Sequence, residues 1–151
     1  MKEGQRILVF GASSAICAAL LKLYAAKAAT FYLVGRDAQK LTAQADDLQV
    51  RGGTVTGTES YDFNQWDAHD NVVESAVESM GQIDIVIVAH GTLPNQSHCE
   101  VPPASVRACM EDNFTSAAII LQCCAAALSV QGSGTLVAIS SVAGDRGRKS
   151  N

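Results

Sequence analysis

Two hydrophobic periods alternate along this chain. Short apolar runs recur at 6–10, 30–34, 54–59, 83–89 and 134–140, each of strand length and bounded by glycine or polar residues. Between them, longer segments at 14–28, 37–50, 67–80 and 103–129 carry apolar residues at helical spacing, punctuated by Gly35, Gly52, Gly53, Gly81 and Gly132. The run Ile7-Leu8-Val9-Phe10 is continuously apolar, as a strand covered on both faces is, and Ile83–Ala89 is nearly so, broken by Asp84, and is expected to be central. Thr54–Glu59 is polar and alternating, which predicts an edge strand. Strict β-α alternation predicts an α/β fold: one doubly wound parallel sheet over residues 1–151, with helices on both faces and right-handed crossovers.

The break after the first strand carries the first chemical signal. Residues 7–17 read Ile-Leu-Val-Phe-Gly-Ala-Ser-Ser-Ala-Ile-Cys: a strand, a turn of small residues and a helix start. The first N–H groups of a helix have no partner within it and attract an anion, and glycine in the turn lets a pyrophosphate approach the backbone. A G-x-x-x-G-x-G spacing would place glycine at 11, 15 and 17, whereas this chain has Gly11, Ala15 and Cys17, small residues that keep much of the clearance. The segment therefore has two readings, a phosphate site built from Gly11, Ser13, Ser14 and Ile16, or an ordinary buried βα turn. Ligands of doubly wound sheets bind at the carboxyl ends of the strands. That rule selects Gly11–Ile16, Gly35–Asp37, Asp62–Phe63, Ala89–Gly91 and Ser140–Ser141.

Composition narrows the class. With 48% hydrophobic and 17% charged residues the chain is globular and not disordered, and a net charge of −4 argues against a nucleic-acid platform. The five cysteines show no C-x-x-C spacing, which predicts reduced thiols and a cytoplasmic protein. His98 and Cys99 stand together without further ligands at metal-site spacing, so no metal is expected. Residues 7–21 mimic a signal peptide, but Gly11, Ser13 and Ser14 interrupt the apolar stretch. The uncharged run 113–144 contains Thr115, Ser116 and Gln122, and predicts a buried helix in place of a membrane span.

Five motifs in order resemble the short-chain dehydrogenase/reductase family over the whole length of the chain. Gly-Ala-Ser-Ser-Ala-Ile-Cys is similar to that family's cofactor turn. Asp62-Phe63 matches the acid that meets the adenine amino group, and Ala89-His90-Gly91 takes the place of Asn-Asn-Ala-Gly, with His90 as a departure. Asp112-Asn113-Phe114 matches the helix-four asparagine, and Ile139-Ser140-Ser141-Val142-Ala143-Gly144 matches the end of the strand that carries the catalytic serine. The resemblance implies a Rossmann-type fold and an NADP(H)-dependent oxidoreductase acting on a small-molecule carbonyl or alcohol. It gives Ser141 the role of hydrogen-bonding the substrate carbonyl, and Asn113 that of holding a water and a local irregularity in its helix. The family's general acid is the tyrosine of Tyr-x-x-x-Lys, a short way beyond the serine. The chain ends at Asn151 before that place, and Tyr24, Tyr32 and Tyr61 all lie upstream. The expectation is thus a cofactor-binding N-terminal part with five strands, inactive alone, the remaining strands and helices lying beyond it. The alternative is a nucleotide-binding module without chemistry. The tail and Ala-His-Gly-Thr-Leu-Pro also resemble, more weakly, keto-sugar reductases such as the reductase half of the decaprenylphosphoryl-ribose epimerase.

Cofactor choice turns on the end of the second strand. NAD-preferring sites place a carboxylate there for the ribose 2′-OH. This chain has Gly35 in that place and Arg36 beside it, which suits a 2′-phosphate, unless a shifted register makes Asp37 the ribose ligand. Three residues keep a plainer reading: His90 as a hydrogen-bonded core histidine, Ser140 as a strand-end residue near the cofactor, and Asn113 as a residue that caps or bends its helix. The helix at 103–129 is expected to be an association surface as well as a core element, through Phe114, Ala117, Ala118, Leu121, Cys124, Ala125 and Leu128, making the protein a homo-oligomer.

Overall fold

A computed structural model describes residues 1–93 and 103–147. Five parallel strands, β1 (Arg6–Phe10), β2 (Thr30–Gly35), β3 (Thr54–Ser60), β4 (Ile85–Val88) and β5 (Thr135–Ala138), lie in the order β3-β2-β1-β4-β5. Helices α1 (Ala15–Ala25), α2 (Ala38–Val50) and α3 (His69–Met80) are the crossovers of the first four strands. The fourth connection contains α4 (Pro103–Met110), a π-turn over Glu111–Thr115, and α5 (Ser116–Gln131). β3 is an edge strand with alternating half-buried and exposed residues, as its polar pattern requires. β4 and β5 are shorter than their apolar runs, because Ile83, Ala89 and Ile139 sit just outside the paired ladder.

Alternate residues of the central strands feed two cores. Leu8, Phe10, Val34, Val86 and Val88 pack against Val72 and Ala76 of α3 and Ile120, Cys124 and Leu128 of α5. Ile7, Val9, Phe31, Leu33, Ile85 and Ile87 face Cys17 and Leu21 of α1 and Leu41 and Leu48 of α2. Each such fully buried aliphatic or aromatic side chain contributes about 1.5–3 kcal/mol by leaving water, which is why the strands read as continuous apolar runs. Burial pushes the Cys17 and Cys124 thiols up to about 12, so they act as small apolar core groups.

Polar clasps fix the amino ends of the strands. The Gln131 carboxamide accepts from Ile83 N at 2.9 Å and donates to Ile83 O at 2.8 Å, while Asp84 accepts from Arg6 N at 2.7 Å and pairs with its guanidinium at 3.2 Å. By length and composition the helical run Pro103–Gln131 would suffice to cross a bilayer. Here it lies against the sheet through Ser116, Ile120, Cys124 and Leu128. That packing corrects one expectation: Cys124 and Leu128 belong to the core, and the exposed apolar stripe of this helix is Val106, Met110 and Phe114.

Candidate functional site

The sheet order reverses direction between β1 and β4, so the loops leaving these two strands diverge and open a crevice at their carboxyl ends. A cleft of about 300 Å³ occupies it, lined by Gly11, Ser13, Ser14, Gly35, Arg36, Asp37, Lys40, Phe63, Ala89, His90 and Gly91. Ten of these eleven residues lie in the segments that strand-end reasoning selects. Lys40 is the addition. Its visible signal is position: it stands one helical turn beyond Arg36, on the first turn of α2.

Gly11 holds the turn in place. Its φ of +85° lies in the left-handed region, and its N–H and that of Ala12 both bond to Val34 O, at 2.9 and 3.1 Å. A Cβ at this position would stand 2.5 Å from His90 N and 2.8 Å from Ala89 C. The turn thus rests directly on the backbone leaving β4, with room for no side chain. At α1 the N-cap residue Ser14 makes no side-chain cap, so the amides of the first turn keep their hydrogen-bonding capacity, and Ile16 on that turn is 68% exposed. The α2 terminus is different: Asp37 Oδ1 accepts from Lys40 N at 3.1 Å and closes it. Of the two helix termini at the cleft, that of α1 is the one left open to an anion.

The same capping engages Asp37 within its own helix. The Lys40 N–H beside it, aided by the Lys40 ammonium at 3.4 Å, holds its carboxyl below the usual range. Arg36, at the end of β2, is exposed and forms no ion pair among the described residues. Its carbonyl accepts from Ser60 Oγ at 3.1 Å, which ties the strand end to β3 and leaves the guanidinium free to meet a ligand.

Beside this cleft, Arg36, Asp62, Phe63, Asn64, His90, Gly91, Thr92, Asp112 and Ser116 line a narrower recess. Asp62 is exposed and accepts from Asn64 N at 3.0 Å, while Asn64 donates from Nδ2 to Asp112 at 2.7 Å, joining the β3 loop to the π-turn. Phe63 is buried against Phe10, Tyr61 and the His90 ring, whose centroid is 4.4 Å from its own. His90 bonds Ser116 Oγ through Nε2 at 2.9 Å, and burial, with Arg36 nearby, pushes its pKa down to about 4. It is a neutral ring at the edge of the core, as the plainer reading holds, and it also lines both recesses.

Asn113 sits within the π-turn, where its Oδ1 accepts from Thr92 N at 2.7 Å and its Nδ2 donates to Cys109 O at 3.1 Å. It both bends its helix and docks it on the segment leaving β4. Ser140 and Ser141 follow β5, exposed and outside the lining of either recess, and Ser141 Oγ accepts from Ala143 N at 3.2 Å, capping a short 3-10 turn. The tyrosines are elsewhere. Tyr61 OH bonds His69 Nδ1, Tyr32 OH donates to Glu59, and Tyr24 lines a hollow at the amino ends of the strands. Among the described residues no three metal-ligating side chains cluster, and His98 and Cys99 lie outside those residues.

The family model for short chain dehydrogenase matches residues 5–151. An uncharacterized oxidoreductase of Mycobacterium tuberculosis is 34% identical over 145 residues, and one of Streptomyces coelicolor is 32% identical over 146. Each alignment covers 96% of this chain, which spans only 58% and 57% of the lengths of these relatives. Among solved structures, a short-chain type dehydrogenase/reductase from Mycobacterium marinum superposes with a TM-score of 0.89 at 25% identity, over 97% of this chain and 60% of its own. NAD+-bound xylitol dehydrogenase also gives 0.89, at 22% identity over 97% of this chain and 56% of its own, a likeness of fold.

Proposed function

The chain belongs to the short-chain dehydrogenase family, and on that premise we propose that it forms the cofactor-binding part of an NADP(H)-dependent oxidoreductase acting on a small-molecule carbonyl or alcohol. The observation that carries the cofactor reading is that an uncapped α1 N-terminus and Arg36, which forms no ion pair among the described residues, border one cleft. A pyrophosphate fits the uncapped amides behind Gly11, where a Cβ would collide with the backbone leaving β4. A 2′-phosphate suits Arg36, with Lys40 as a second cation partly engaged by Asp37. Asp62, with lone pairs beyond the one bonded to Asn64 N, suits an adenine amino group.

A nicotinamide held in this cleft would supply or accept hydride. Ser141 is proposed to hydrogen-bond the carbonyl oxygen as negative charge develops there, a donor role that requires its hydroxyl proton and leaves its bond from Ala143 N intact. Asn113 is proposed to hold a proton-relay water. No tyrosine within these residues reaches this end of the sheet unengaged, so the general acid of the complete enzyme is proposed to come from a further part of the natural protein. The same fact favours a second reading, a module that binds the nucleotide without chemistry. A cytoplasmic location and a homo-oligomeric state go with the first reading.

Titration with both reduced cofactors tests the proposal. NADPH is expected to bind more tightly than NADH, and Arg36→Ala to abolish the difference. Tighter NADH binding, or indifference to Arg36→Ala, contradicts it. Ketone reduction by the full-length protein separates the enzyme from the module.

A further inference from the structure

We propose that His90 is a positioning residue that, through Ser116, locks the π-turn carrying Asn113 against the cofactor cleft. The inference rests on the proposed role of Asn113 for its catalytic meaning, but not for its structural content. In an α-helix the Ser116 amide would bond Asp112 O; here it bonds Glu111 O, one residue further back. The Ser116 hydroxyl takes up the carbonyl its amide has left, donating to Asp112 O at 3.1 Å. With its single proton so committed, Ser116 Oγ can only accept from His90 Nε2 at 2.9 Å. That fixes His90 as the Nε2–H tautomer.

The other ring nitrogen supports the assignment. Nδ1 is buried with no partner among the described residues. In the Nε2–H tautomer this leaves an orphan lone pair; in the other it would leave an orphan N–H, the more costly deficit. A proton on Nδ1 would be buried without an acceptor, beside Arg36 and His69, with Asp112 as the opposing charge.

His90 does not act alone. Two residues on, Thr92 N donates to Asn113 Oδ1 at 2.7 Å, and Asn113 Nδ2 reaches Thr92 Oγ1 at 3.3 Å. Between them Gly91 passes so close that a Cβ would stand 3.1 Å from Asn113 Oδ1. The segment 90–92 therefore grips the π-turn on both sides, His90 through Ser116 and Thr92 through Asn113. Because Ala89, His90 and Gly91 also line the cleft, a cofactor pressing on this segment and the orientation of Asn113 are mechanically linked.

The test uses the full chain, His90→Leu, His90→Gln, which retains an N–H donor, and Ser116→Ala, which cuts the link outside the strand. Long-range nitrogen-proton spectra of the imidazoles are expected to show His90 as neutral Nε2–H from pH 8 down to about 5. Hydrogen exchange at Thr92 N is expected to rise about five-fold in His90→Leu and Ser116→Ala, the loss of one hydrogen bond's net effect, and to return to within about two-fold in His90→Gln. An Nδ1–H tautomer, or exchange at Thr92 indifferent to Ser116→Ala, overturns the proposal. Failure of NADPH to bind would overturn the cofactor reading and leave these observables unchanged.

Discussion

Replacing Gly11 with alanine puts two separable strains on the fold. Its φ of +85° is a left-handed conformation, which costs an L-residue about 1–2 kcal/mol. The new Cβ would also stand 2.5 Å from His90 N and 2.8 Å from His90 Cα, which are backbone atoms that no rotamer change can move. Overpacking of this kind costs about 1–3 kcal/mol, for a total of about 2–5 kcal/mol. Gly132 supplies the control: its φ is +80°, yet nothing lies within 4 Å of a Cβ built there, so Gly132→Ala carries the conformational cost alone. Urea unfolding of both variants isolates the close approach. With m near 1–3 kcal/mol/M, Gly11→Ala is expected to unfold at a midpoint about 1 M below that of Gly132→Ala. Gly11→Ala is also expected to weaken NADPH binding, because the β1–α1 turn must lift off β4, whereas Gly132→Ala, at the amino ends of the strands, is not. Equal destabilisation by the two substitutions would refute the claim that the turn rests on the β4 backbone.

Arg36→Ala is expected to weaken NADPH binding about 10–100-fold, as loss of a charge-assisted hydrogen bond does, with Lys40→Ala costing less because Lys40 is shared with Asp37; isothermal titration reads both. His90 has a folded pKa near 4 against an ordinary 6.5, so the unfolded chain binds more protons between these values; stability is expected to be full above pH 6.5 and to fall as pH drops toward 4, with a smaller slope in His90→Gln measured by urea unfolding across pH. Burial raises the Asp84 carboxyl, but Arg6 and Gln82 outweigh it and hold its pKa below 3.8, so the contribution of this pair is present above that pH and lost as pH falls further; Arg6→Ala is expected to flatten the acid limb of the same profile. The stripe Val106, Met110 and Phe114, with β5 as an exposed sheet edge where Leu136 is 39% accessible, is expected to drive self-association; light scattering showing a monomer at high concentration, unchanged by Phe114→Ser, would contradict it.

The fold was legible because its signals are local. Two-sided burial makes Ile7–Phe10 and Ile85–Val88 continuous apolar runs, and the glycines at 35, 81 and 132 mark element ends. The cleft was legible because a doubly wound sheet collects its strand ends in one place, so Gly11, Arg36, Phe63 and His90 meet although they are far apart in sequence. What was not legible depends on contacts between distant segments. Neither the spacing nor the composition says that Asn64 reaches Asp112, that Tyr61 bonds His69, or that Ser116 faces inward to meet His90. The helix at 103–129 was misjudged in part for the same reason. An apolar residue on all sides of a helix gives no moment to orient it, and only packing decides that Cys124 and Leu128 point in while Phe114 points out. Lys40 was missed because a first-turn lysine three residues from Asp37 has an ordinary explanation as a helix ion pair.

We propose that the crevice between β1 and β4 binds a dinucleotide. The most direct measurement follows the backbone amide resonances of the chain as NADP+ is added. The predicted result is saturable shifts confined to Gly11–Ile16, Gly35–Lys40, Asp62–Asn64 and Ala89–Thr92, absent in Arg36→Ala at the same concentration. No saturable shifts, or shifts centred on the groove of about 660 Å³ between α3 and α5, where Val77 and Val130 lie, would contradict it.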